Sequence, residues 1–252
     1  MRVLLLTYQW NRSGGLETVC QEIAAALIEA GCDVTVWSLG AGSHQSGNED
    51  IVRVLSPTGI IRRFLFFRLW RSHLLRKLND EWRNFDLVIA GHAHFLPLIK
   101  SVLEHAGSDR PCCWVWTYGI EVWGSAGEDL GNSLAWADKV ISISSFTALQ
   151  ASKWVDKPIA VVPCMVDTDF FKPGSTSEIN RGEILIVGRL SSQERYKGHD
   201  ILLDCLPEIK RMLQKNVRLT IIGDGNDRDR LENRAKTSGI SDIVSFRGRV
   251  SA

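Results

Sequence analysis

Two fixed positive charges, Arg189 and Lys197, stand in the stretch VGRLSSQERYKGHD, directly behind the apolar run ILIVG. In a parallel α/β sheet, ligands gather at the carboxyl ends of strands, where the next helix presents free N–H groups and the positive end of its dipole. Arg189 follows such a strand and Lys197 just precedes the next helix. Two cations and a helix dipole then form a site suited to a diphosphate. A second turn, IIGDGNDRD, puts Gly223 and Gly225 at the carboxyl end of the following strand, where backbone can approach a nucleotide. Taken alone, an arginine and a lysine on a loop are ordinary solvated charges, so the neighbouring residues have to decide.

Other residues with chemical potential lie in the first two thirds of the chain. Gly14 and Gly15 head a helical pattern and by themselves read as a turn before it. His92 and His94 alternate behind a strand, as structural or as ligand-facing imidazoles. No third ligand stands at suitable spacing, which argues against zinc. Tyr118, Gly119 and Glu121 follow the next strand, and Glu121 serves either as a polar site group or as a local cap. Ser144 and Ser145 read as an N-cap, and Asp167 and Asp169 as turn residues. Of Trp114 and Trp116, which alternate in a strand, at least one belongs in the core.

The elements that must position these residues are legible as short apolar runs alternating with helical periodicity. VLLLT is a strand, GLETVCQEIAAALIEAG a helix ending at Gly31, and DVTVWSL the next strand. DLVIAG, CCWVWTYG, KVISIS and IAVVPC continue the series, with helices near residues 97–104 and 146–153. Continuous apolar strands between helices mean a parallel sheet covered on both faces. The polar, Pro/Gly-containing stretch DTDFFKPGSTSEINRGE then interrupts the pattern. After it come ILIVGRL, a helix over 199–214, VRLTIIGDG, a helix over 229–236 and IVSFRG. The expected organisation is an α/β chain of two Rossmann-like doubly wound parallel-sheet domains: residues 1–172, a linker at 173–182, and an incomplete second domain at 183–252.

Composition sets the outer limits. A chain of 252 residues with 44% apolar and 23% charged residues is globular. A formal net charge of +1 gives no global argument for nucleic acid, and none is expected as a partner. The six cysteines form no CxxC pair, as in a reduced cytoplasmic protein, and Cys112 and Cys113 both read as buried in a strand. The opening MRVLLLTYQW has too short an apolar run for a signal peptide, and no stretch is long enough to span a bilayer. One segment, RRFLFFRLWRSHLLRKL from Arg62 to Leu78, has six basic and no acidic residues. It suits either contact with anionic lipid on the inner face of a membrane or a helix packed on the sheet with its arginines solvated. Flotation with anionic vesicles at low salt separates the two.

Taken in order, Gly14-Gly15, GHAHFLP, YGIEVWG, ADKVISISSFT, VPCMVDTDFFKP, VGRLSSQERYKG, IIGDGNDRDRLE and VSFRGRV resemble the family 4 retaining glycosyltransferases of GT-B architecture over nearly the whole chain. The resemblance implies a nucleotide-sugar donor, a glycan or lipid-linked acceptor of cell-surface polysaccharide assembly, and neither cofactor nor metal. It also implies roles: Arg189 and Lys197, with Gly14 and Gly15, on the donor diphosphate; Gly223 and Gly225 on the nucleotide side; Tyr118 and Gly119 near the reacting sugar. Many members have histidine where Tyr118 stands, and Glu121 and His94 are the nearby polar substitutes. The family's Glu-x7-Glu segment and closing helix lie beyond the last residue here. Two other readings remain: a non-catalytic nucleotide- or glycan-binding protein, and an NAD-dependent Rossmann enzyme. The absence of GxGxxG opposes the second.

Overall fold

The computed structural model describes residues 1–10, 14–40, 51–54, 63–124, 127–174, 182–213 and 217–250. These divide into two compact units, Met1–Thr168 and Asp169–Ala252. In the first, strands β1 (Arg2–Gln9), β2 (Asp33–Gly40), β3 (Val52–Val54), β4 (Leu87–Ala90), β5 (Cys112–Thr117), β6 (Lys139–Ser142) and β7 (Ala160–Val161) form one parallel sheet in the order β3-β2-β1-β4-β5-β6-β7. β1 lies between β2 and β4, pairing Leu4 with both Thr35 and Val88. Strand order therefore reverses on either side of β1, and the crevice at the carboxyl ends of β1 and β4 is the topological switch point.

Both faces of this sheet are covered, as its unbroken apolar strands demand. Leu4 and Leu6 of β1 point into one core, with Trp37, Phe95, Ile99 and Leu134, while Val3 and Leu5 point into the other, with Val19, Ile23 and Ile141. That split follows from the period-two side-chain alternation of a strand. Helix α1 (Gly15–Glu29) buries Val19, Cys20, Ile23 and Ala24 at helical spacing. The opposite face is covered by α2 (Arg63–Glu81), α3 (Leu96–Leu103) and α4 (Glu128–Trp136), and α5 (Ser145–Ala151) follows β6. In α2, Leu74 and Leu78 are fully buried in the core. Residue 62 and the side chains of 63–71, which hold most of the basic segment, lie outside the described set.

Three local expectations change. β3 and α4 carry too few apolar residues at regular spacing to stand out in the sequence, yet both are formed. β7 has two residues where a six-residue strand is expected, because it lies at the sheet edge and pairs with β6 alone. Cys112, expected to be buried, is exposed as the first residue of β5, while Cys113, one position on, is fully buried.

The second unit pairs β8 (Glu183–Val187), β9 (Arg218–Ile222) and β10 (Val244–Gly248) in parallel, in the order β10-β9-β8. Helices α6 (His199–Leu213) and α7 (Arg228–Thr237) bury Leu203, Leu206, Leu231 and Ala235 against Leu219 and Ile221 of one sheet face. On the other face Leu185 and Val187 are exposed. The helices are also tied laterally. Arg230 is bidentate to Asp200 at 2.6 and 2.7 Å and donates to both oxygens of Asp227 at 2.7 Å, and Arg234 holds Asp204 through two bonds of 2.8 Å.

Candidate functional site

The expected site residues collect in two groups, one at the carboxyl edge of each sheet. At the switch point of the first unit, Tyr8 from the end of β1, His92 and His94 behind β4, and Tyr118 behind β5 form a continuous ring cluster. His92 stacks on Tyr118 with centroids 5.9 Å apart and planes 12° from parallel, and it lies 5.4 Å from Tyr8 and 4.6 Å from His94. His92 caps a short 3-10 turn, its Nδ1 accepting the backbone N–H of His94 at 3.2 Å. Burial pulls its imidazole down to about 4, against the opposing pull of the Glu121 charge. A neutral ring whose Nδ1 accepts must carry its proton on Nε2, so His92 is a hydrogen-bond donor there at neutral pH. His94 is exposed, and its Nδ1 lies 3.4 Å from the Tyr8 hydroxyl.

Tyr118 has a fixed orientation. Its hydroxyl donates to the carbonyl of Gly91 at 2.9 Å and lies 3.9 Å from the Cys20 thiol on α1, and burial pushes the pKa of both groups up. Close approach at this point requires glycine: a Cβ on Gly91 would stand 2.5 Å from the Leu6 carbonyl oxygen. Glu121, largely buried, accepts the backbone N–H of Tyr118 with one oxygen and that of Gly119, at 3.0 Å, with the other. Its carboxylate is the anionic cap of the loop after β5. Gly119 lies beneath the Trp123 ring, which a Cβ would approach to 2.9 Å. Gly14 and Gly15 open α1, Gly14 in extended conformation as the N-cap residue. Ser144 caps α5 by accepting the Thr147 N–H at 3.1 Å.

The second group belongs to the second unit. Arg189 leaves β8, Lys197 closes a 3-10 turn over Arg195–Lys197, and α6 starts two residues later. Gly198, at φ +87°, makes the left-handed corner between that turn and the helix. The loop behind β9 is zipped onto the one behind β8. Leu190 N–H donates to Asp224 O at 3.1 Å, Asp227 N–H to Leu190 O at 3.0 Å, and Ser192 N–H to Asn226 Oδ1 at 3.1 Å. The contact is so close that a Cβ on Gly223 would meet the Gly188 carbonyl oxygen at 1.9 Å, and one on Gly225 the Leu190 carbonyl at 2.0 Å. Arg189, Lys197, Gly223 and Gly225 therefore share one edge: two cations, a helix N-terminus and a closely packed glycine turn.

Residues 13–170 match the family model Glycosyltransferase Family 4, and residues 167–252 match Glycosyl transferases group 1. The chain belongs to glycosyltransferase family 4. A phosphatidylinositol N-acetylglucosaminyltransferase component from Arabidopsis thaliana is 28% identical over 273 residues, an alignment covering 99% of this chain. This family 4 chain spans 58% of that relative's length. Among solved structures, the lipopolysaccharide outer core galactosyltransferase WaaB in apo form matches at TM-score 0.69 and 18% identity, with 100% of this chain and 69% of that one covered. Anabaena HepE in complex with UDP matches at 0.72 and 18%, with 100% and 70% covered. These likenesses establish the α/β GT-B fold.

Within the family 4 chain, the sequence named His92 together with His94 without separating them, and it did not single out Glu194. His92, rather than His94, is the half-buried imidazole stacked on Tyr118; both lie in the same HAH run, and only the turn direction separates them. Glu194 pairs with Arg189 at 3.7 Å and with Lys197 at 3.0 Å. Its spacing of three residues from Lys197 on a helical turn was the available clue. Among the described residues no group of three His, Cys, Asp or Glu side chains is placed to hold a metal ion, and no helix is long and apolar enough to cross a membrane.

Proposed function

We propose that this chain is the nucleotide-sugar-handling portion of a retaining glycosyltransferase that moves a sugar to a glycan or lipid-linked acceptor, in cytoplasmic assembly of a cell-surface polysaccharide or lipopolysaccharide. The observation that carries the reading is the edge of the second unit, where Arg189 and Lys197 flank the N-terminal approach to α6 and the tight turn of Gly223 and Gly225 packs directly on the loop that carries Arg189. When a nucleoside diphosphate departs, negative charge develops on its phosphate oxygens as the anomeric carbon becomes oxocarbenium-like. Preorganised cations at that place stabilise the transition state more than the ground state. In this reading the two side chains supply the stabilisation without a metal or cofactor. Gly14 and Gly15 at the head of α1 are, by the family resemblance, a loop that presents backbone N–H groups to phosphate. On the acceptor side, Tyr118 and Gly119 shape the floor near the reacting sugar, while Glu121 and His94 are the polar groups beside it.

Support for donor and acceptor classes comes from relatives. One neighbour was solved with UDP, another is named for transfer to lipopolysaccharide outer core, and the plant relative for transfer of N-acetylglucosamine to phosphatidylinositol. The latter two names also suit a protein working beside a membrane, for which the basic segment at 62–78 is the proposed lipid-facing element. Membership of family 4 favours the transferase over the non-catalytic binder and the NAD enzyme.

The test is quantitative. In the complete enzyme, Arg189→Ala and Lys197→Ala each lower turnover by roughly a hundredfold or more, the loss typical of one preorganised donor at a developing anion. Unchanged turnover in both variants would sink the assignment.

A further inference from the structure

The two cations of the candidate diphosphate site are bridged by a carboxylate. Glu194 places Oε1 3.7 Å from the Arg189 guanidinium and Oε2 3.0 Å from the Lys197 ammonium. Exposure rises along this row: the side chains of Glu194, Lys197 and Arg189 are 21%, 31% and 70% accessible. The carboxylate is the innermost of the three groups.

Its backbone is fixed while its head is not. The Glu194 N–H donates to Ser191 O at 2.9 Å and its carbonyl accepts the Lys197 N–H at 3.1 Å. Oε2 is sealed from solvent and receives no aligned hydrogen bond among the described residues, so its hold on Lys197 is Coulombic without directional bonding. A buried acceptor without an aligned donor is poorly satisfied, and rotation of the side chain into water improves its solvation. Glu194 can therefore leave by side-chain torsions alone.

Glu194 presents one negative charge to the same two cations that a diphosphate, with more charge and more oxygens, would take. We infer that Glu194 is an internal counter-anion of the diphosphate site, which positions Arg189 and Lys197 while the site is empty and swings out when a nucleoside diphosphate replaces it. This deepens the donor-site reading above and rests on it. Every anion that enters must first displace Glu194, so the residue sets the affinity threshold of the site and keeps weakly charged anions out.

The experiment is calorimetric titration of the full chain with UDP and, as a base-independent probe, inorganic pyrophosphate. It compares wild type, Glu194→Gln, Glu194→Asp and Arg189→Ala. Removing a competing, partly exposed ion pair should tighten both ligands roughly three- to tenfold in Glu194→Gln. Glu194→Asp keeps the charge on a shorter arm and should fall between wild type and Glu194→Gln. A carboxylate that merely props the loop gives the opposite sign, with weaker binding in both Glu194 variants. That result, or unchanged affinity in a folded Glu194→Gln protein while Arg189→Ala abolishes wild-type binding, overturns the inference and leaves the diphosphate site standing. Failure of both wild type and Glu194→Gln to bind either probe overturns the site and the inference together.

Discussion

At the carboxyl edge of the seven-stranded sheet the buried polar groups are the His92 and Tyr118 rings and one carboxylate committed to backbone N–H groups; at the edge of the three-stranded sheet Arg189 and Lys197 share the Glu194 carboxylate between them. The difference follows from burial. His92, Tyr118 and Glu121 sit in a crevice between two covered sheet faces, where an unpaired charge is costly, so the imidazole stays neutral and the carboxylate is fully occupied. Arg189 is open to water and keeps its charge cheaply. The first edge offers shape and directed hydrogen bonds, which suits discrimination of an uncharged hydroxylated molecule, and the second offers mobile charge, which suits a phosphate.

The largest expected effect comes from the tightest of the glycine backbone contacts, which lies at the second edge. Gly223→Ala puts a Cβ 1.9 Å from the Gly188 carbonyl oxygen at φ +136°, so the loops behind β8 and β9 must separate. A loss above about 3 kcal/mol in chemical denaturation, with loss of pyrophosphate binding, is expected; a stable, binding-competent variant would show that the two loops do not need this contact.

Next is the charge ladder behind that edge. Arg230→Ala strands Asp227, whose side chain is only 6% exposed and which has both oxygens on Arg230. A buried carboxylate without its partner costs about 3 kcal/mol. Denaturant midpoints should reveal it, and Arg230→Ala together with Asp227→Asn should recover much of the loss, whereas an equal loss in the double variant would place the energy elsewhere.

The first edge should respond to pH instead. His92 has a folded pKa of about 4 against 6.5 in the unfolded chain. Between those values the unfolded state binds a proton that the folded state refuses, so stability is full above pH 6.5 and falls as pH drops toward 4, by on the order of 3 kcal/mol. The His199 imidazole of the second unit, also lowered by burial, adds in the same direction. Asp86, held near 2 by Arg2, titrates below this window. His92→Asn retains an acceptor for the His94 N–H and loses the titration, so unfolding midpoints at pH 7, 6 and 5 should lie closer together than in wild type. An unchanged pH profile would remove His92 from the account.

The chain's periodicities by themselves determined most of the scaffold. Strands β1, β2, β4, β5, β6, β8, β9 and β10 are apolar enough to be buried on one or both faces, and that is a local property of composition. The positions of Arg189, Gly223 and Gly225 were legible for a related reason: each follows such a strand closely, while Lys197 just precedes the next helix, and the carboxyl end of a parallel strand is a fixed place in this kind of sheet. Glycine at Gly223 and Gly225 hinted at close backbone approach, though the carbonyl groups approached are some 35 residues away and invisible in sequence.

Only tertiary structure decided the rest. That Tyr118 turns its hydroxyl inward to Gly91 depends on β4 lying beside β5. That His92, and not His94, stacks on Tyr118 depends on a 3-10 turn whose direction no periodicity records. Glu121 became a cap because its carboxylate folds back on two N–H groups of its own loop. Strand propensity is local, whereas the pairing of side chains distant in sequence depends on where strands are placed in the sheet, and that placement exists only once the core has formed.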